Sequence, residues 1–372
     1  MKIFKIFKPI ENDNLTYHYW IDIFRFFAAF SVFIYHYPHF YHIGILNENL
    51  FKVNLSLNQL PFYDFFKYLY LYGNRGVDLF WVISGFIFSA VYFNKKVSAS
   101  QFWISRFARL YPLHFITLLF ISLLQFISFR AYNQFQIVEY NDFYHFLLNL
   151  FFISSWGFEL GRNFNWPIWS VSIELIIYFI FFFSMSRLFS RGILKPLILI
   201  TFFSIAYFFN TQIELLNSSI MMCGFYFFSG SLIYYIRTWM IYNKFEKMIP
   251  YLSLLFFILG FFTFGKILNN HDIYVFPSLV LLISFLDISF KSMGKKFSYV
   301  GNLCYSLYLW HMPLQILIMT FYLNRLDLSE RYSLLNSKFF ILSFFIATIL
   351  VSFYSYEKLE KPLRKIINRS FN

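Results

Sequence analysis

Ten stretches of this chain are apolar over about the length a helix needs to cross a bilayer. They lie near residues 20–42, 76–94, 111–129, 168–186, 194–209, 219–236, 249–265, 273–290, 302–323 and 339–355. No other feature restricts the fold so sharply. Of the 372 residues, 59% are hydrophobic and only 13% charged, more apolar surface than a soluble domain of this size can hide. The expected fold is all-α, a polytopic membrane bundle of about ten transmembrane helices with both termini cytoplasmic. It reads as one domain over residues 1–372: residues 1–19 form a cytoplasmic N-terminus, 20–355 the bundle and 356–372 a cytoplasmic tail, with no appended soluble domain.

An eleventh stretch, about 143–155, is shorter and flanked by polar residues. Charge decides how to read it, because lysine and arginine concentrate on the cytoplasmic side. With ten spans, 21 of the 31 Lys and Arg residues fall inside and nine outside, with Arg25 within a span. If 143–155 crossed, every later loop would invert and the balance would become 12 inside against 18 outside. The stretch is therefore read as interfacial or re-entrant. The N-terminus lacks an apolar core with a small-residue cleavage site, so the first span is expected to stay as an uncleaved anchor. The net charge of +13 fits cytoplasmic loops facing anionic lipid. No basic run interleaved with aromatics points to nucleic acid. Cys223 and Cys304 lie in apolar spans and give no disulfide framework.

Ionisable groups inside a membrane helix are costly and mark function by default. Arg25 and His36 share the first span. Their eleven-residue separation puts them on one helix face, about 16 Å apart along the axis. Asp22 lies one turn before Arg25. The plain alternative is an arginine that snorkels and a histidine that caps the helix. By rise per residue, His36 lies about 24 Å above the cytoplasmic entry, and Glu174, in the oppositely directed fourth span, about 9 Å below the outer surface. A neutral imidazole beside a carboxylate suits a general base, so these two are the catalytic candidates. Arg106 and Arg109, at the cytoplasmic mouth of the third span, can grip phosphates with forked hydrogen bonds, or simply anchor the helix. Asp78 opens the second span beside Arg75, and Ser84 and Gly85 permit close helix contact or approach to a ligand. His311 follows Trp310 about 14 Å up the ninth span, as a site residue or a buried hydrogen-bonding group. Glu360-Lys-Pro362-Leu-Arg364 reads as an anchor. His36, His39 and His42 are spaced by three, but Pro38 interrupts their helix. With no His-Glu-x-x-His or Cys-x-x-Cys, no metal is expected. Nor is there a nucleotide-binding glycine pattern.

Taken in order, these segments resemble the integral-membrane acyltransferase 3 family, whose members O-acylate cell-surface carbohydrates. The resemblance rests on Arg25-(ten residues)-His36, Gly76-Val-Asp78-Leu-Phe-Trp-Val-Ile-Ser84-Gly85-Phe86, Arg106-Phe-Ala-Arg109-Leu-Tyr-Pro112, Trp169-Ser-Val-Ser-Ile-Glu174-Leu-Ile-Ile-Tyr178, Tyr305-Ser-Leu-Tyr-Leu-Trp310-His311 and the closing Glu360-Lys-Pro362-Leu-Arg364. It spans about residues 20–365. It implies that His36 is essential, that Arg25, Arg106 and Arg109 hold the acyl donor, and that Asp22, Asp78, Ser84, Trp169, Tyr178, Tyr305, Trp310 and His311 support the pocket. Two positions depart from the pattern: Phe26 replaces a frequent glycine, and Leu175 removes a second acidic residue after Glu174.

The resemblance further implies a bacterial cytoplasmic-membrane protein that takes acetyl-CoA or another acyl-CoA from inside. Its acceptor would be a hydroxyl of a cell-surface or lipid-linked carbohydrate outside, and other polysaccharide-biosynthesis proteins are expected partners. His36 would act as base or carry the acyl group covalently. Two rival classes keep the same fold: a polysaccharide exporter or carrier, and a non-catalytic membrane anchor or sensor.

Overall fold

The computed structural model describes residues 17–44, 57–92, 97–184, 193–213, 217–260 and 272–370. Lys2, Lys5, Lys8, Lys52, Lys95, Lys96, Arg187, Arg191 and Lys266, all used in the charge balance, lie outside the described residues. So do residues 1–16 of the tail and the far ends of the spans expected at 76–94, 168–186 and 249–265.

Among the described residues the chain is helical, with one isolated bridge between Tyr140 and Asn163. Helix α1 is Tyr19–His36, followed by a 3-10 turn at Tyr37–Tyr41. Then come α2 (Tyr63–Tyr72), α3 (Gly76–Tyr92), α4 (Ala99–Tyr132), α5 (Phe143–Leu150) and α6 (Trp169–Phe183). They are followed by α7 (Leu194–Ile213), α8 (Ser218–Tyr242), α9 (Ile249–Leu259), α10 (Asp272–Ser289), α11 (Lys291–Phe297) and α12 (Tyr299–Asn302). The chain closes with α13 (Cys304–Phe321), α14 (Leu328–Leu335), α15 (Lys338–Ser355), a π-helical turn at Tyr356–Glu360 and α16 (Lys361–Ser370). Each of the ten apolar stretches contains a helix. Among the described residues, five helices can by length and composition cross a membrane, Tyr63–Tyr92, Ala99–Tyr132, Trp166–Phe183, Ser218–Tyr242 and Lys338–Ser370. The pair α10–α11, bent by 104°, makes a sixth if it counts as one span. The α5 stretch is only eight residues long, about 12 Å, too short to cross a ~30 Å core.

The helices group into two compact units. The first takes the chain up to Ala28, Arg75–Ser98 and Ile173–Asn302. At its centre α3 and α8 touch backbone to backbone. A Cβ at Gly85 would lie 1.7 Å from the Phe227 carbonyl oxygen, and one at Gly230 would lie 1.9 Å from that of Val82. Small residues permit this approach, and Ser89 and Ser231 seal it with a 2.7 Å hydroxyl hydrogen bond. Gly85 therefore serves packing, the first of the two uses its position allowed. The start of α1 is tied to the same unit: the Trp20 N–H donates to Asp287, its indole N–H donates to the Phe290 carbonyl, and Gly301 lies against the Asp22 backbone.

The second unit comprises Ala29–Asn74, Ala99–Ser172 and Leu303–Asn372. Its spine is α4, 34 residues and about 50 Å long, packed along α13. Contacts advance in step along the two helices. The Tyr305 hydroxyl donates to the Leu110 carbonyl, Phe120 meets Trp310 edge to face, and the Tyr132 hydroxyl donates to the Thr320 carbonyl. The two helices therefore run parallel. By contrast α1 and α15 run antiparallel, since Phe30 meets Phe345 while Phe40 meets Phe340.

Candidate functional site

Proline shapes the chain around both His36 and His311. Pro38, just past the end of α1, has no N–H to continue the hydrogen-bond ladder, and the chain tightens there into the 3-10 turn that His36 caps. The Gln315 amide donates to the His36 carbonyl at 2.9 Å. Pro313, inside α13, has no N–H for the Leu309 carbonyl. There the Asn165 amide donates instead, at 3.0 Å. His311 and Gln315 are four residues apart and share a helix face, so both side chains point at the end of α1.

The central contact follows. His36 Nδ1 lies 3.0 Å from His311 Nε2, with both rings buried and their planes only 15° apart. Counted by rise alone, these histidines differ in depth by about 10 Å. The structure brings them together, because rise measures depth only along an untilted helix with a known entry point. His39 stands with its ring centroid 4.9 Å from that of His36, and its buried Nδ1 has no partner among the described residues. Among those residues no group of three His, Cys, Asp or Glu is arranged to hold a metal ion.

The turn below these rings is fixed by Arg331, which is 1% exposed. Its guanidinium donates to the carbonyls of Phe40 and His42 and to the Asn324 amide oxygen. Burial pushes the guanidinium down to about 10, so it stays charged at neutral pH. The Tyr37 hydroxyl adds a bond to the Leu335 carbonyl and that of Tyr41 one to Asn336. Sequence reasoning singled out none of Gln315, Asn165 or Arg331. Only Gln315 left a signal, its four-residue offset from His311.

The remaining candidates fall into separate groups. In the first unit, Arg25 pairs with Asp22 at 3.1 Å and Arg75 with Asp78 at 3.3 Å. Asp78 and Glu174 are buried there, and both act electrostatically on the Cys223 thiol. Tyr178 stacks on Phe88 with centroids 4.3 Å apart, and Ser84 lies on α3 beside Gly85. Glu174 thus belongs to one unit and His36 to the other, where the ring partner of His36 is His311.

In the second unit, Arg106 and Arg109 lie on α4, and the Arg106 Nε donates to Ser105. Arg109 and Arg364 both act electrostatically on Glu360, whose carboxylate accepts from the Ser306 hydroxyl. The closing acidic motif is therefore tied to the arginine-bearing helix, beyond the anchoring expected of it. Trp169 opens α6. Trp310 packs on Phe120, and its indole N–H is buried without a partner among the described residues.

Long apolar helices, some of them carrying buried histidines, mark a membrane protein. The family model for the acyltransferase 3 family, described as an acyltransferase domain, matches residues 18–357, nearly the whole chain. The chain belongs to this family and is a membrane acyltransferase. No curated protein and no solved structure matches it.

Proposed function

We propose that this acyltransferase moves an acyl group, acetyl foremost, from cytoplasmic acyl-CoA to a carbohydrate hydroxyl on the outer side of a bacterial cytoplasmic membrane. The acceptor is a cell-surface or lipid-linked glycan. The observation that carries this reading is the buried His36–His311 pair, which holds an imidazole in fixed orientation inside the family's domain. In the proposed step His36 takes the proton of the acceptor hydroxyl as its oxygen attacks the thioester carbonyl. The C–O bond forms, the C–S bond breaks, and the proton on His36 goes to the departing thiolate of coenzyme A. Arg25, Arg106 and Arg109 are proposed to hold the donor's phosphates, and Glu174 with Asp78 to line the acceptor side.

The ten-span arrangement with both termini inside belongs to the same proposal, and the parallel α4 and α13 support it. Two parallel spans need an odd number of crossings between them. With each of α6 to α10 taken as one crossing the number is five, and a crossing α5 would make it six.

The test is purified full-length protein given acyl-CoA and a carbohydrate acceptor, with free coenzyme A and acyl ester both measured. His36→Ala, folded as judged by monodispersity and melting, is expected to lose at least a hundredfold in turnover, within the range of about 10²–10⁴ for a positioned base. Wild-type turnover in that variant would refute the role of His36.

A further inference from the structure

We propose that His39 is a specificity-determining residue, which hydrogen-bonds an acceptor hydroxyl next to the one that His36 deprotonates. This deepens the reading of His36 as the base and of a carbohydrate as the acceptor, and it rests on that reading. The two histidines belong to one compact unit, His36 at the end of α1 and His39 in the 3-10 turn that follows. Their ring centroids are 4.9 Å apart and their planes tilted by 49°. The turn Tyr37–Tyr41 carries three polar side chains. Tyr37 donates to the Leu335 carbonyl, and Tyr41 to the Asn336 amide oxygen. His39 differs from both: its Nδ1 is shielded from solvent and has no hydrogen-bond partner among the described residues. The ring as a whole is only half-buried, whereas Tyr37, Pro38, Phe40 and Tyr41 are buried. A shielded polar atom without a partner is destabilising, and a bound ligand is one way to satisfy it.

The chemistry of a fitting partner follows from the ring. An imidazole nitrogen offers either a proton or a lone pair. A hydroxyl both donates and accepts, so it satisfies His39 Nδ1 in either tautomer. The carbonyl of an acyl thioester only accepts, and so satisfies one tautomer alone. The acceptor therefore fits this nitrogen better than the donor does. His36 faces His311 through Nδ1, so a substrate hydroxyl meets it at the other ring nitrogen. His39 then meets the next hydroxyl along the sugar. Hydroxyls on adjacent sugar carbons lie close enough for two neighbouring rings to bond one each. The χ2 torsion of histidine is broad, so Nδ1 can turn toward a ligand that arrives over the open side of the ring. The backbone of the turn is held without the His39 side chain. Arg331 donates to the Phe40 and His42 carbonyls, and the His42 N–H donates to the His39 carbonyl at 3.2 Å.

The test changes substrate and protein together. Full-length protein is given acetyl-CoA with the methyl glycosides of glucose, galactose and mannose and with their deoxy analogues. Ester formation is read as kcat/KM for the sugar. Wild type is expected to lose about tenfold or more on an analogue that lacks a hydroxyl next to the acylated one. His39→Leu is expected to lose a similar factor on the parent sugar, and to use parent and analogue within about twofold of each other. Its KM for acetyl-CoA is expected to stay within about twofold of wild type. Three results would overturn the proposal: wild type that uses every such analogue as well as the parent, His39→Leu that keeps the wild-type preference, or folded His39→Leu inactive on every sugar. The first of these needs no variant, and His39→Ala replaces His39→Leu, with the same expectations, should the latter not fold. Wild type that forms no ester on any sugar would remove the carbohydrate reading, and a fully active His36→Ala the proposed base. Either takes this inference with it, whereas loss of the preference alone leaves both readings standing.

Discussion

The Pro313 bend offers a sharp test because one hydrogen bond stands in for another. In a regular helix the Leu309 carbonyl would accept from the N–H of residue 313. Proline has none, and the Asn165 amide fills the gap at 3.0 Å, with Asn165 and Leu309 both fully buried. Asn165→Ala leaves that carbonyl unsatisfied at a cost of about 1–3 kcal/mol. Pro313→Ala restores an N–H in the ordinary helical position. In that background the carbonyl regains a partner, and the cost of Asn165→Ala shrinks to that of its lost packing. The packing loss is common to both backgrounds and cancels in the double-mutant cycle. The expected coupling is about 1–2 kcal/mol, well above the ~0.5 kcal/mol within which independent sites add. Unfolding of the four variants in mixed detergent micelles, followed by intrinsic fluorescence, measures it. Strictly additive costs would refute the claim that Asn165 replaces the missing proline donor and shapes the seat of His311.

Two further outcomes follow from the packing. Gly85→Ala is expected to lower the melting temperature by several degrees and the yield of monodisperse protein, since its Cβ would lie 1.7 Å from a backbone oxygen that cannot rotate away. A melting curve matching wild type would contradict the backbone contact of α3 with α8. Asp142→Ala is expected to cost about 1 kcal/mol by removing the N-cap of α5, where the carboxylate accepts from the His145 backbone and ring. Partial burial opposes ionisation of Asp142, but the His145 hydrogen bonds win and hold its carboxyl below the usual range. The cap is therefore intact at neutral pH and is lost only as pH falls through that depressed value. Hydrogen exchange of the α5 amides on stepwise acidification would show protection kept through the usual carboxylate range and lost only below it.

The helical fold was legible because apolar run length reports directly on membrane helices. The short α5 was legible for the same reason, with charge balance deciding its placement. The site was legible only in part. His36 and His311 each stood out as ionisable groups in apolar surroundings. Their pairing did not, because helix tilt and entry point are set by packing between helices and leave no periodic trace. The carboxylate partner expected for His36 came from comparing depths along two spans, and Glu174 and His36 fall in different units. Arg331 and Asn165 stayed hidden because each serves backbone carbonyls, and any sequence that reaches the same carbonyl would do. Glu360 looked like part of a charged tail. Its place became visible in the packing: the π-helical turn and α16 lie against the helix of Arg109, and Ser306 on α13 donates to its carboxylate.

The central claim, that this membrane protein transfers acyl groups through His36, is tested most directly by stoichiometry. Purified protein in liposomes is supplied with acyl-CoA carrying a labelled acyl group and with a carbohydrate acceptor. Free coenzyme A and labelled ester on the carbohydrate are counted together. One coenzyme A released per ester formed, with both abolished in folded His36→Ala, is the predicted result. Acceptor moved across the bilayer with no coenzyme A released, or equal turnover by wild type and His36→Ala, would contradict it.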